Sequence, residues 1–281
     1  MNIISKRNEI RNTVKVLTSK GKSTGFVPTM GALHDGHLTL VRQAKEENDY
    51  VIVSIFVNPT QFNNKEDLKK YPRDNDSDLK KLQSVDCDFV FIPTVAEMYP
   101  KQEIQRKYDF GNLTNVMEGK NRPGHFDGVA TIVHKLFDTI PATNAYFGKK
   151  DYQQLLVIKS LVNQLNMNIN IIPCDIVREK DGLAMSSRNQ RLTIAQRAVA
   201  PLIYQTLQKA VKMASDFSLS EVKKYVESEM NMIDGMKLEY FEVADGDSFN
   251  LIGHFEKNKN IMGFIVVNLG NIRLIDNIQF F

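Results

Sequence analysis

The chain has 281 residues, 42% of them hydrophobic and 25% charged, with 36 basic against 33 acidic side chains. It is long enough to bury a sizeable core in one large domain or two, and a net charge of only +3 with no run of one sign gives no indication of a nucleic-acid-binding tail. Cys87 and Cys174 lie in separate apolar segments outside any CxxC pair, which excludes a disulfide framework and a thiolate metal site and makes them core thiols.

The opening "MNIISKRNEIRNTV" lacks the uninterrupted apolar stretch of a signal peptide, and no later run is long enough to cross a bilayer. A cytoplasmic protein is expected. Short β-branched runs then recur: "GFVPT" around Phe26, "YVIVSIFVN" from Tyr50, "CDFVFIP" from Cys87, "AYFG" from Ala145 and "INIIPCDIV" from Ile169. Continuous apolar runs of this length predict strands buried on both faces. Between them, Leu38, Val41 and Ala44, and again Val129, Ile132, Val133, Leu136 and Phe137, follow the spacing of one helical face. Strand and helix in alternation predict an α/β fold, a doubly wound parallel sheet.

The rhythm changes after about residue 180. "LTIAQRAVAPLIYQTLQKAVKMA" predicts one long helix from near Thr193, kinked by Pro201, and Ser218 with Glu221 forms a capping box for another. Three strand-like segments close the chain: "KLEYFEVAD", "IMGFIVVNLG" and "IRLIDNIQFF". The expected division is a first domain over residues 1–180 and a smaller α+β domain over residues 181–281, joined near "REKDGLAMSSRN".

The stretch with the most chemistry is "PTMGALHDGHLTLVRQAK", Pro28 to Lys45, directly after the first apolar run. In a doubly wound sheet, ligands sit at the carboxyl ends of strands, where a tight turn feeds a helix. Glycines there let backbone approach an anion, and the helix N-terminus adds roughly half a positive charge. His34 and His37, three apart, point the same way if both belong to that helix's first turn. Two imidazoles beside phosphate oxygens could donate hydrogen bonds or a proton. A satisfied histidine near a turn is the ordinary alternative. Zinc would need further ligands, and His125, His134 and His254 form no HExxH pattern. No GxGxxG follows the strand, which counts against an NAD-dependent dehydrogenase.

"HDGH" resembles the HxGH signature of nucleotidyltransferases related to class I aminoacyl-tRNA synthetases, and "AMSSRN", Ala184 to Asn189, resembles the distant lysine-methionine-serine loop of that superfamily. "PTMGALHDGHLTLV", "SIFVNPTQF", "YPR", "EMYP", "RPGHFDGVATIV", "YFGKKDYQQL", "REKDGLAMSSRN" and "RLIDN" stand in the order seen in the pantothenate synthetase (pantoate–β-alanine ligase) family. The resemblance covers the chain from about residue 25 onward and is densest before residue 192.

That resemblance implies a Rossmann-like first domain, a C-terminal lid domain and a homodimer. It also implies an enzyme, which joins ATP and pantoate as pantoyl adenylate and then transfers the acyl group to β-alanine. Met30, Gly31, Ala32, Leu33, His34, Asp35, Gly36 and His37 would line the ATP site, with His37 as proton donor and His34 beside it at the phosphates. Gly148, Lys149, Lys150 and Asp151 would extend that site, Lys150 as a charge for phosphate and Asp151 as acceptor from the ribose. Lys149 stands where many relatives carry an acid. Val177 would meet the adenine, and Met185, Ser186, Ser187 and Arg188 would close over the phosphates. Gln61, Gln154 and Asn58 would hold pantoate, and Gln61 also β-alanine. No carboxylate cluster suggests a dedicated metal cage, so Mg²⁺ is expected on ATP phosphates and water. Other readings are a cytidylyl- or adenylyltransferase making a stable nucleotide conjugate, and a nucleic-acid-binding module, which the balanced charge disfavours.

Overall fold

The computed structural model describes residues 1–62, 65–100 and 107–281. Two compact units emerge, one of Met1–Lys149 and Gln153–Asp175, the other of Lys150–Tyr152 and Ile176–Phe281.

The first unit runs β1 (Asn2–Ile4), α1 (Arg7–Ser19), β2 (Thr24–Thr29), α2 (Asp35–Glu47), β3 (Tyr50–Ile55), α3 (Lys65–Lys70), α4 (Asn75–Gln83), β4 (Phe89–Phe91), α5 (Val95–Met98), α6 (Met117–Asn121), α7 (His125–Thr139), β5 (Asn144–Gly148), α8 (Tyr152–Gln164) and β6 (Asn170–Cys174). Its six strands form one sheet in the order β1-β4-β3-β2-β5-β6, every pair parallel, so the predicted doubly wound α/β architecture is what forms. The edge strand β1 carries no readable signal, because "NII" is short and its first two residues are exposed.

The continuous apolar runs divide by the pleat, since successive side chains on a strand point to opposite faces. Phe26, Ile52 and Phe91 join one core with Val129, Leu136 and Phe137 of α7. Val27, Val53 and Val90 join the other with Leu38 and Val41 of α2 and Leu82 of α4. Each fully buried side chain of this size stabilises by about 1.5–3 kcal/mol. Cys87 and Cys174 belong to the second of these cores, and burial pushes both thiols up to about 12.

Strand order reverses between β2 and β5, and their ladder ends at Phe26–Ala145. Pro28, with no N–H to donate, lies just beyond that last pair. The two strands therefore stop pairing at the position where a doubly wound sheet offers a ligand its crevice.

The second unit holds α9 (Ile194–Val199), α10 (Leu202–Met213), α11 (Leu219–Asn231), β7 (Met236–Asp245), β8 (Ile261–Leu269) and β9 (Ile272–Gln279). The strands form an antiparallel sheet in the order β7-β8-β9, and Val222 and Val226 of α11 share a core with Phe241, Ile265 and Val267. The single helix expected from Thr193 is two, because Pro201 cannot continue the ladder of N–H donors: α9 stops before it and α10 starts after it. Thr193 and Gln196 box the start of α9, and Ser218 and Glu221 box that of α11 as their spacing predicts. No helix among the described residues is long and apolar enough to cross a membrane.

Candidate active site

The loop leaving β2 has two consecutive left-handed residues, Gly31 at φ +77° and Ala32 at φ +51°. Such a conformation costs a non-glycine residue about 1–2 kcal/mol, so something must hold Ala32 there. Asp78 of α4 does so: its Oδ2 accepts from Ala32 N–H at 2.8 Å and its Oδ1 from Leu33 N–H at 2.7 Å. Burial raises the pKa of Asp78, opposed by these two donors and by Lys81. Both N–H groups are thereby committed to the protein.

The loop delivers His34 as the N-cap of α2, with His37 at the third helical position. Their ring centroids lie 4.1 Å apart, so one turn presents both imidazoles together. His34 N–H points at His37 Nδ1 at 3.4 Å. With Nδ1 accepting, the neutral ring of His37 carries its proton on Nε2, which makes that edge a donor. The positive end of α2 adds to the field there.

A second part of the first unit is the turn Pro59–Gln61 with its cap Asn58. Asn58 is 1% exposed. Its amide nitrogen donates to Gln61 Oε1 at 3.2 Å and Gly128 O at 3.1 Å, while its Oδ1 accepts from Tyr99 Oη at 2.7 Å and from Thr60. Gln61 Nε2 in turn reaches Met30 Sδ at 2.9 Å. His125 Nδ1 lies 2.9 Å from Gln61 O, and Arg122 Nη1 lies 3.0 Å from His125 Nε2. Gln154 in the first turn of α8 is half-buried, and its side-chain amide makes no hydrogen bond to the described residues. Gly148 ends β5, where an added Cβ would meet open space, and Lys149 Nζ pairs with Asp175 Oδ1 at 2.6 Å.

In the second unit, Asn277 Nδ2 donates to Lys150 O at 2.9 Å, and Lys150 Nζ lies 3.9 Å from Asp151 Oδ2. Val177 O accepts from Met185 N–H at 3.0 Å, closing a narrow turn that also pairs Arg178 with Ala184. Ser186 then caps the short helical turn Ser187–Arg191, its Oγ accepting from Arg188 N–H at 3.2 Å. Beneath the turn, Arg178 grips Asp276 with Nη1–Oδ2 at 2.6 Å and Nη2–Oδ1 at 2.9 Å and stacks on Tyr204 at 3.6 Å.

Thus the structure brings His34 and His37 together, and joins Asn58, Gln61 and Met30 in one hydrogen-bonded group. Sequence reasoning missed Asp78, His125, Asn277 and the Arg178–Asp276 pair. His125 and the last three lie inside motifs already singled out, "RPGHFDG", "REKDG" and "RLIDN". Asp78 had one signal, an acid on the same helical face as the apolar Leu82.

The sequence model of the pantoate-beta-alanine ligase family matches residues 2–279. Pantothenate synthetase of Bacteroides fragilis (strain YCH46) is 45% identical over 280 residues, covering 100% of this chain and 99% of its own. That of Azobacteroides pseudotrichonymphae is 48% identical over 281 residues, covering 100% of both. Among solved structures, pantothenate synthetase of Thermus thermophilus superposes with a TM-score of 0.93 at 38% identity, covering 100% of both chains. The pantoate-beta-alanine ligase of Francisella tularensis, solved with β-γ ATP and β-alanine, gives 0.83 at 39% identity, covering 99% of this chain and 97% of its own. A match across essentially the whole length, in sequence and in fold, leaves one assignment: the chain belongs to the pantoate-beta-alanine ligase family.

Proposed function

We propose that this chain is an AMP-forming ligase that condenses (R)-pantoate with β-alanine to give pantothenate. In the first step the pantoate carboxylate attacks the α-phosphorus of ATP and pyrophosphate leaves. In the second the β-alanine amine attacks the acyl carbon, loses a proton and releases AMP. A free carboxylate is a poor electrophile, whereas AMP is a good leaving group, which is why the first step is needed. The observation that carries the reading is the full-length family match, together with "HDGH" at the end of β2 beside the strand-order reversal.

On the first unit, the proposed ATP site is the loop and helix start from Met30 through His37, with Gly148 and Lys149; Ala32 and Leu33, whose N–H groups Asp78 takes, shape that loop. His34 and His37 are proposed to face the phosphates; with Nδ1 accepting, His37 Nε2–H is a hydrogen-bond donor to them, and the proposed proton donation draws on the protonated ring, in which Nδ1 no longer accepts. Gln61 and Gln154 are proposed for pantoate and Gln61 also for β-alanine, because amides both donate and accept. Asn58 serves the same site, its buried amide steadying Gln61. On the second unit, Lys150, Asp151, Val177, Met185, Ser186, Ser187 and Arg188 are proposed as further ATP contacts, Lys150 and Arg188 meeting charge as pyrophosphate departs.

Among the described residues no group of three or more His, Cys, Asp or Glu side chains could hold a metal ion. The Mg²⁺ proposed here comes with the triphosphate, held by its oxygens and water, as that ion prefers. We also propose a cytoplasmic homodimer. The test is isotope exchange: labelled pyrophosphate should enter ATP only when pantoate is present, and AMP should appear only when β-alanine is added. Folded protein with no pantoate-dependent exchange sinks the assignment.

A further inference from the structure

We propose that Asp78 of α4 is a positioning residue for the adenylation step, acting through the backbone of the loop that presents His34. The inference rests on the reading that this loop contacts ATP. Asp78 comes from 46 residues along the chain to meet Ala32, and its side chain is almost wholly buried against the loop. Its two oxygens take two successive N–H groups, at Ala32 and Leu33. Lys81, one turn further along α4, donates Nζ to Leu33 O at 2.7 Å. One helix face therefore grips Leu33 by both its N–H and its carbonyl, and the next residue is His34, which starts α2.

The other side of the loop is fixed as well. Gly31 N–H donates to Thr29 Oγ1 at 3.2 Å, and that hydroxyl donates to Ser54 O at 2.7 Å. At Gly31 the fit is so close that a Cβ would stand 2.9 Å from Asp78 Oδ2 and 3.0 Å from Ile55 Cγ2, at a φ of +77°. Glycine is needed there for the turn and for the carboxylate. Ala32, by contrast, has a Cβ and is still left-handed, so its conformation depends on the acceptor it faces. Only a carboxylate offers two acceptors of this geometry; an amide in the same place turns an NH₂ group toward one of the two N–H donors.

If the clamp is lost, the loop relaxes and the imidazoles leave their place by a fraction of an ångström, which is enough to cost rate. Gln61 is held by Asn58, which is fixed on Gly128, and by His125; its bond to the loop is at Met30, before Gly31, so the pantoate contacts should be affected less. The signature is thus a split between substrates, which general loosening of the fold does not produce. Wild type, Asp78→Asn and Lys81→Met are assayed by pantoate-dependent pyrophosphate exchange with each substrate varied, and thermal unfolding is recorded in parallel. Asp78→Asn should raise KM for ATP about tenfold or more and lower kcat, with KM for pantoate moving less than about threefold. Lys81→Met removes one bond from the edge of the clamp and should shift KM for ATP the same way by about two- to fivefold. If Asp78→Asn does not fold, Lys81→Met decides alone. A folded variant with unchanged KM for ATP, or an equal rise for both substrates, overturns the proposal. Wild-type protein without exchange overturns the underlying reading and the proposal with it.

Discussion

His34 N–H points at His37 Nδ1 across 3.4 Å, and the two rings stand 4.1 Å apart at the mouth of α2. The contact is long for a hydrogen bond and contributes little to stability, but it sets the His37 ring with Nδ1 toward the backbone of His34. His37→Ala should therefore slow pantoate-dependent exchange by about 10²–10³-fold, the usual cost of one preorganised donor. Unfolding free energy should move by less than about 1 kcal/mol. An exchange rate unchanged in the variant removes His37 from the chemistry.

The Arg178–Asp276 pair has side chains only 17% and 3% exposed, and it ties the residue after Val177 to strand β9. Breaking one partner of a buried pair leaves the other charge without compensation, at a cost of about 3–5 kcal/mol. Asp276→Ala should lower the unfolding free energy, read from a denaturant titration, by an amount of that order. The double variant Arg178→Met with Asp276→Leu should recover much of the loss, since an apolar pair of similar volume removes both charges. A double variant as unstable as the single one shows that packing against Tyr204, not charge, holds this turn.

The sequence carried the sheet well where β3 is a continuous apolar run and β2 and β5 have apolar centres, whereas β6, expected to be buried on both faces, is an edge strand with only Cys174 buried. It carried the capping boxes because two side chains three apart suffice to define them. What it hid depends on long separation. Asp78 reads as one acid beside Asp74 and Asp76, and its one local signal, the spacing to Leu82, does not say that it meets Ala32. Asn277 reads as a strand residue, yet its amide holds Lys150 across 127 residues of chain. Motifs located the neighbourhoods; which side chain contacts substrate and which steadies a neighbour depends on the tertiary fold.

Asp49 links the starts of two neighbouring strands. It accepts from Lys22 Nζ at 2.9 Å, Ser23 N–H at 2.9 Å and Ser23 Oγ at 3.0 Å. Lys22 first, then the two Ser23 donors, hold its carboxyl down at about 2. Because the folded value lies below the unfolded one of about 3.9, the stability Asp49 adds is fully present above pH 4 and disappears as pH falls toward 2. The group is exposed, so the effect is small and screened by salt. Comparing wild type with Asp49→Asn, the difference in Tm should be largest near neutrality and close to zero at the acid end. A difference that persists at low pH assigns the effect to packing.

Gly128 opens a route to Gln61 that leaves its side chain untouched. A Cβ at this position would lie 2.5 Å from Thr60 O and 2.8 Å from Gln61 Cα, both backbone atoms with no rotamer to yield. The same glycine's carbonyl accepts from Asn58 at 3.1 Å, so the helix α7 and the turn carrying Gln61 are fitted to each other directly. Gly128→Ala must push that turn aside, at an overpacking cost of about 1–3 kcal/mol. A displacement of Gln61 by a fraction of an ångström should raise KM for pantoate by about tenfold or more while leaving KM for ATP within about threefold. This is the reverse of the split expected for Asp78→Asn, which changes the loop on the far side of Met30. If Gly128→Ala folds and binds pantoate as wild type does, Gln61 is not a pantoate contact, and the half-buried amide of Gln154 is left to hold that substrate.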